Sequence, residues 1–107
     1  MGLMSGTSMD GVDAAVVEIN EKNINVISTF NKSYDDELKQ ELLFIRDNKK
    51  SINLDDFARL DHKVGKFFGA AALSAIKESK VKSSQIHAIG SHGQTIRHQP
   101  RDRYPFS

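Results

Sequence analysis

Three short β-prone segments within the first thirty residues restrict how this chain can fold. They span residues 3–4, 14–19 and 24–30, and polar turn formers separate them, including residues 21–23. A parallel return between two strands requires a dozen or more connecting residues. The connections here are much shorter, so the spacing predicts antiparallel hairpins.

The middle of the chain has the periodicity of two amphipathic helices. Ser33 is the predicted N-cap of the first helix, with Asp36 three residues later. The apolar face of this helix comprises Tyr34, Leu38, Leu42 and Ile45. Polar residues 47–51 end it, and Asn53 is the predicted N-cap of a second helix over residues 54–79. The apolar side chains of the second helix are expected to pack in the core.

The last predicted strand spans residues 86–90. It is expected to be buried and to end at a glycine, with a polar loop at residues 91–95 directly after it. Three hairpin-linked strands, two helices and a further strand predict an α/β fold with a mixed sheet. No internal repeat or low-complexity linker interrupts this order, so a single structural unit is expected.

The connection between the first two strands has the composition of a phosphate site. Its glycines allow backbone N–H groups to approach an anion closely, and its hydroxyl side chains add further donors. Asp10 and Asp13 repel a phosphate unless a magnesium ion or a sugar hydroxyl lies nearby. The alternative is an ordinary hairpin turn, in which glycine and aspartate only supply the turn conformations.

The loop after the fourth predicted strand is also polar. Its candidate substrate-binding residues are Ser91, His92, Gly93, Gln94 and Thr95. Hydroxyl, imidazole and amide groups match the hydroxyl and acetamido groups of a sugar. Sheets of α/β proteins usually bind ligands where their strands end. The alternative is a loop whose polar groups satisfy one another, and the residue types alone leave both interpretations open.

Two sequence blocks resemble a known family. Residues 2–13, GLMSGTSMDGVD, resemble the amino-terminal signature of the anhydro-N-acetylmuramic acid kinases, and residues 90–100, GSHGQTIRHQP, resemble the next characteristic segment of that family. The order and the separation of the two blocks also match, so the resemblance extends over essentially the whole chain. These proteins are sugar kinases of the actin, hexokinase and heat-shock-70 superfamily.

The resemblance implies a ribonuclease-H-like, or actin-like ATPase, fold together with an activity. The implied enzyme uses ATP and Mg²⁺ to open 1,6-anhydro-N-acetylmuramic acid hydrolytically, and it gives N-acetylmuramate 6-phosphate in peptidoglycan recycling. Family members have two lobes with the active site between them, and they are expected to form homodimers. At 107 residues, the chain is expected to be a partial amino-terminal lobe without the second lobe, and inactive by itself.

The resemblance also implies a nucleotide site in the first block. The implied cofactor-binding residues are Gly6, Thr7, Ser8, Met9, Asp10, Gly11, Val12 and Asp13. Asp10 or Asp13 would contact Mg²⁺, through water because this ion gives up its hydration shell reluctantly. The superfamily loop commonly carries an aspartate just before its glycine and threonine, and Met4 takes that place here.

The second block implies the sugar site at residues 91–95. The arginines that follow are candidates to pair with the carboxylate of a muramic acid, or are simply surface charges. They are Arg97, Arg101 and Arg103. The general base of the implied reaction is an aspartate expected after Ser107, so no catalytic residue is assigned within this chain.

Three other interpretations remain open. In a non-catalytic module, the two polar segments bind a nucleotide or a muropeptide without turnover. A serine hydrolase would use Ser8, His92 and an aspartate, but the sequence around Ser8 lacks the Gly-x-Ser-x-Gly pattern of many such enzymes. A metal site made of His87, His92 and His98 has no carboxylate at ligand-like spacing.

Composition restricts the partners and the compartment. The formal net charge of +1 gives no electrostatic argument for binding nucleic acid or a membrane surface. The chain has no cysteine, which excludes disulfides and thiolate metal sites. No apolar run approaches the roughly 20 residues that span a bilayer. We therefore expect a cytoplasmic protein with small-molecule ligands.

Overall fold

The chain forms a four-stranded sheet with two helices packed on one face. The computed structural model describes residues 1–47, 51–101 and 103. Its elements are β1 (Gly2–Ser5), β2 (Gly11–Ile19), β3 (Ile24–Ser33), α1 (Asp36–Asp47), α2 (Leu54–Ser79), a short 3₁₀ helix (Ser83–Gln85) and β4 (Gly90–Gln94). The strand order is β3-β2-β1-β4, in which β4 is parallel to β1 and the other neighbours are antiparallel. This confirms the predicted mixed α/β fold.

The core lies between the sheet and α2. Strand β2 alternates, with Val12, Ala14 and Val16 buried on the helix side and Asp13 exposed on the other side. Helix α2 crosses β2 and β3, and α1 packs beside α2. Leu42 of α1 is fully buried in the same cluster. In the described part of the chain no helix covers the opposite, open face of the sheet, where Met4 and Asp13 are exposed. None of the described helices is both long and apolar enough to cross a membrane.

Helix α2 has the predicted bounds. The side-chain oxygen of Asn53 accepts a hydrogen bond of 2.8 Å from the backbone N–H of Asp55, as expected of an N-cap. At the other end, Lys80 adopts a left-handed conformation with φ 59°, and its N–H donates to the carbonyl of Lys77. Both signals lie within a few residues of the helix ends, which is why the sequence predicts this helix well.

The predicted N-cap of α1 is wrong. Ser33 is the last residue of β3, where it pairs with Gly11, and the helix begins at Asp36. The carboxylate of Asp35 instead accepts a hydrogen bond of 2.8 Å from the N–H of Leu38. Because β3 continues its pairing with β2 through Ser33, the capping role passes to an acidic side chain beyond the strand. Tyr34 is buried as predicted, although it precedes the helix.

The predicted position of the last strand is also wrong. Strand β4 begins at Gly90, where the prediction ended, and Gly90 pairs with Gly2, the first residue of β1. Residues 86–89 therefore lie beyond the end of the partner strand, where the ammonium group of Met1 donates to the carbonyl of Ala88. Ile89 is 50% exposed, so the expected burial of this segment is wrong as well. Most of the predicted polar loop is strand.

Strand β4 is irregular near its carboxyl end. Leu3 pairs with Ser91, but Ser5 pairs with Gln94, so β4 has one residue more than β1 over this interval. Gly93 has φ +79°, a conformation that glycine adopts without steric cost. An extra residue of this kind is a β-bulge, which bends a strand and redirects its side chains.

Candidate functional site

The two polar segments meet at one edge of the sheet. Strands β1 and β4 are parallel neighbours, so their carboxyl ends lie side by side. The N–H of Thr95, which follows β4, donates to the carbonyl of Ser5 at the end of β1 over 3.3 Å. Ligands of α/β sheets bind at such carboxyl ends. Residues about ninety positions apart in sequence thus form one candidate site.

The connection after β1 is a short turn, which we call the first loop and define as residues 6–10. The N–H of Met9 donates to the carbonyl of Gly6 over 3.3 Å. Met9 has φ 52°, and its side chain is fully buried in the core. Thr7 and Ser8 are both exposed, so an anion can reach them, although the hydroxyl proton of Ser8 is donated to Asp10.

The first loop is shorter than the sequence indicates, because Gly11, Val12 and Asp13 belong to β2. Val12 is fully buried. A Cβ atom on Gly11 would overlap the carbonyl oxygen of Lys32 and lie 2.8 Å from Ser33 Cα. Gly11 therefore permits the close approach of β2 and β3. In contrast, a Cβ on Gly6 would meet nothing within 4 Å.

The side-chain amide of Gln94 joins the two segments. Its Nε2 donates to the carbonyl of Gly6 over 2.8 Å and to its neighbour Thr95 over 2.9 Å. Its Oε1 lies 2.7 Å from Ser5 Oγ and 3.0 Å from the hydroxyl of Tyr34. Ser5 Oγ also lies 2.5 Å from the carbonyl oxygen of Gly11, so its single proton can be donated to only one of these two oxygens. With two carbonyls beside Nε2 and two hydroxyl groups beside Oε1, this orientation of the amide avoids placing its oxygen against a carbonyl.

Tyr34 is a site residue that sequence reasoning missed. Its hydroxyl contacts Gln94, and its backbone N–H donates to the carbonyl of Asp10 over 3.0 Å. The ring is 7% exposed and packs against Phe67 with 4.7 Å between ring centroids. Burial raises the pKa of Tyr34, so the hydroxyl keeps its proton at neutral pH. The sequence pattern assigned Tyr34 only to an apolar stripe, since its hydroxyl partner is 60 residues away.

The two aspartates proposed for Mg²⁺ have different surroundings. Asp10 is exposed, and its Oδ1 accepts a hydrogen bond of 2.8 Å from the hydroxyl of Ser8. This hydrogen bond is the main cause that lowers the pKa of Asp10, with further contributions from backbone N–H groups and the charge of Lys39. Asp13 lies on the open face of the sheet, where its Oδ1 accepts a hydrogen bond from the Asn31 amide.

The segment after Gly90 borders a large open cavity. The volume is about 1090 Å³, and all five residues at positions 91–95 contribute to its wall, together with Arg97. The facing wall is apolar and comes from α2, where it includes Leu60, Val64 and Phe68. The cavity therefore has one polar wall, from β4 and the residues after it, and one apolar wall, from α2.

A serine hydrolase and a histidine metal site would each require contacts between particular side chains. Ser8 donates its hydroxyl proton to Asp10, and within the described residues no hydrogen bond joins Ser8 to His92. The described part of the chain contains no group of three or more histidine, aspartate or glutamate side chains placed to hold a metal ion. Neither a serine–histidine pair nor a three-histidine metal site is therefore formed by these residues.

The sheet order, the helix-covered face and the polar site at the carboxyl ends of β1 and β4 define a class of protein. They are those of the amino-terminal part of an actin-like ATPase domain. A sequence model of the family "Anhydro-N-acetylmuramic acid kinase" matches residues 1–107. The chain belongs to this family.

Curated relatives agree with the family match. The chain is 44% identical over 110 residues to an anhydro-N-acetylmuramic acid kinase of Xylella fastidiosa (strain Temecula1 / ATCC 700964). It is 43% identical over 107 residues to that of Aliivibrio fischeri (strain ATCC 700601 / ES114) and 40% identical to that of Vibrio vulnificus (strain CMCP6). Each comparison covers 100% of this chain and 29% of the relative. The chain therefore spans less than a third of the length of these relatives.

Proposed function

We propose that this chain supplies the phosphate loop and part of the sugar site of a kinase. The whole enzyme opens 1,6-anhydro-N-acetylmuramic acid by hydrolysis and transfers the γ-phosphoryl group of ATP to its O6, in the cytoplasm, during peptidoglycan recycling. Family membership supports the reaction, since the relatives carry this name. The observation that carries the proposal is the meeting of the two polar segments, where Gln94 binds the first loop and Thr95 binds the end of β1.

The first loop is the proposed contact for the phosphates. Thr7 and Ser8 are exposed at the carboxyl end of β1, and short turns with glycine present consecutive N–H groups to anions. The buried side chain of Met9 and the hydrogen bond between Asp10 and Tyr34 hold the turn in place. A turn that is already ordered costs less conformational entropy when a nucleotide binds.

The proposed cation site is at Asp10. Its carboxylate is exposed and has a lowered pKa, so it is ionised at neutral pH, and oxygen ligands of this kind suit Mg²⁺. Asp13 lies on β2, outside the first loop and on the other face of the sheet from the buried core, which makes it the less suitable of the two candidates. When bound, Mg²⁺ neutralises phosphate charge during phosphoryl transfer.

The polar wall formed by residues 91–95 is the proposed contact for the sugar. Ser91 and His92 are exposed, and Ser91 Oγ lies 3.3 Å from the N–H of Gly93, so its hydroxyl proton remains available to a sugar oxygen. Arg97 borders the same cavity and is the proposed partner of the lactyl carboxylate. These residues bind and orient the acceptor, while the general base lies in a part of the enzyme after Ser107.

The test is ADP release with Mg-ATP and 1,6-anhydro-N-acetylmuramic acid, measured on the full reading frame that contains this chain. We expect turnover that requires both compounds, and a loss of at least about tenfold in kcat/KM for a double variant Thr7→Val, Ser8→Ala. Lys22→Ala, in the exposed turn between β2 and β3, is the matched control with unchanged activity. Saturable binding of ATP or of the sugar without ADP release would mean that the protein is a non-catalytic binding module and not a kinase.

A further inference from the structure

We propose that Gln94 is a positioning residue for the first loop and that Tyr34 acts through it. This inference rests on the proposed function, because it gives the loop a role in nucleotide binding. Gln94 belongs to the segment expected to contact the sugar. The geometry points to a different role for its side chain.

Both N–H donors of the Gln94 amide are used inside the protein, and the hydroxyl groups of Ser5 and Tyr34 occupy the space around its oxygen. A carboxamide has two N–H donors and two acceptor lone pairs. The two donors face the carbonyls of Gly6 and Thr95, and the acceptor faces the hydroxyls of Ser5 and Tyr34. A sugar hydroxyl would have to displace one of these internal hydrogen bonds. The side chain is therefore used inside the protein.

These internal contacts hold both ends of the first loop. Gln94 binds the carbonyl of Gly6 at the start of the loop, and the backbone of Tyr34 binds the carbonyl of Asp10 at its end. The hydroxyl of Tyr34 then joins the two contacts by binding Gln94. Since Tyr34 is buried against Phe67, it provides a rigid support from the helix side of the sheet.

The arrangement also connects the two proposed ligand sites. Gln94 lies between Gly93 and Thr95, which border the cavity, and its side chain ends on the first loop. A ligand that orders the segment after Gly90 therefore also orders the carbonyl of Gly6. Binding energies that share an ordered element are coupled, and the coupling acts equally in both directions.

The test measures the Kd of Mg-ATP by calorimetry and the KM of each substrate for three variants of the full reading frame. Gln94→Ala is expected to weaken Mg-ATP binding about tenfold, because it removes the hydrogen bond to the carbonyl of Gly6. Tyr34→Phe is expected to weaken it about threefold, because it removes a single neutral hydrogen bond to Gln94. The KM of the sugar should change less than the KM of ATP. Gln40→Ala, an exposed glutamine of α1, is the matched control and should leave both unchanged.

A double variant separates positioning from general loss of structure. If Tyr34 acts through Gln94, the double variant Tyr34→Phe, Gln94→Ala should bind Mg-ATP as Gln94→Ala does, with no further loss. Amide hydrogen exchange of residues 6–11 should be faster in Gln94→Ala, and this measurement needs no ligand. Thermal unfolding of each variant shows whether the effect is confined to the loop.

Two results would overturn the proposal. One is a rise in the KM of the sugar with an unchanged Kd for Mg-ATP, which would make Gln94 a sugar ligand. The other is unchanged hydrogen exchange in the first loop of Gln94→Ala. If the unaltered protein binds no Mg-ATP, the proposed function fails, while faster exchange in Gln94→Ala would still support Gln94 as the residue that holds the loop.

Discussion

The sheet contains two connections between antiparallel neighbours, and they are stabilised in different ways. The turn between β2 and β3, residues 20–23, is exposed and uses only its own atoms. Asn20 Oδ1 accepts hydrogen bonds from the N–H groups of Lys22 and Asn23, and Asn20 N–H donates to the carbonyl of Asn23. The first loop instead depends on Gln94 and Tyr34, which lie far away in sequence.

The difference shows what each connection has to do. A turn that only reverses the chain is satisfied by an asparagine that binds its own backbone. The first loop has a fully buried methionine with φ 52° and a carbonyl held by a side chain of β4. A positive φ at a residue other than glycine costs conformational free energy. Such a conformation is retained where the backbone must keep one shape, as in a binding site.

The largest change in stability is expected when the first loop loses its contact with the core. Met9→Ala removes a fully buried side chain and should lower the free energy of unfolding by about 3 kcal/mol. Asn20→Ala removes the local hydrogen bonds of the other turn and should cost about 1 kcal/mol. Urea unfolding followed by circular dichroism measures both. Equal losses would mean that the two connections contribute alike to stability.

The next prediction compares the stability effects of substitutions at Gly6, where the first loop begins, and at Gly11, directly after it. Gly11→Ala should lower the free energy of unfolding by about 2 kcal/mol, because the new methyl group overlaps the backbone of β3. Gly6→Ala is the matched control and should change stability by less than about 0.5 kcal/mol, since its methyl group enters open space. A comparable loss in both variants would contradict the structural role of Gly11.

The smallest effect concerns the carboxylate of Asp10 in the first loop. The hydrogen bond from Ser8 lowers the pKa of Asp10, so Ser8→Ala should move this pKa upward towards its ordinary value. A lowered folded-state pKa stabilises the protein above the unfolded-state pKa, and this stabilisation is lost as the pH falls through the folded-state pKa. Carbon-13 NMR titration of the Asp10 carboxyl group measures the shift. Thr7→Val should leave the titration unchanged, and a pKa unmoved by Ser8→Ala would contradict this account.

The sequence predicts correctly those parts of the fold that depend on residues close together in the chain. The bounds of α2 follow from Asn53 and a continuous apolar stripe, and both lie within the helix or next to it. The antiparallel pairing of the first three strands follows from connections too short for any other arrangement. The predicted N-cap of α1 is wrong because the length of β3 depends on the pairing of Ser33 with Gly11. The residues next to Ser33 in sequence do not indicate this pairing.

The candidate site was predictable in its residue types and not in its contacts. The residue types predict both polar segments, but they predict β4 too early in the sequence, because the start of β4 depends on where β1 begins. The link between Gln94 and Tyr34 depends on the strand order, which brings together residues 60 positions apart. Resemblance to a family names such residues without saying which of them contact a ligand and which hold the site in shape.

The bulge in β4 sets the direction of the Gln94 amide. Side chains alternate along a strand, so if Gly93 paired with Ser5 in a regular ladder, Gln94 would point to the opposite face of the sheet from Ser5. The amide would then lie on the side of Met4 and Asp13. The carbonyl of Gly6 and the hydroxyl of Tyr34 would both lose their partner. The irregular register at Gly93 therefore decides whether the side chain of Gln94 can support the first loop.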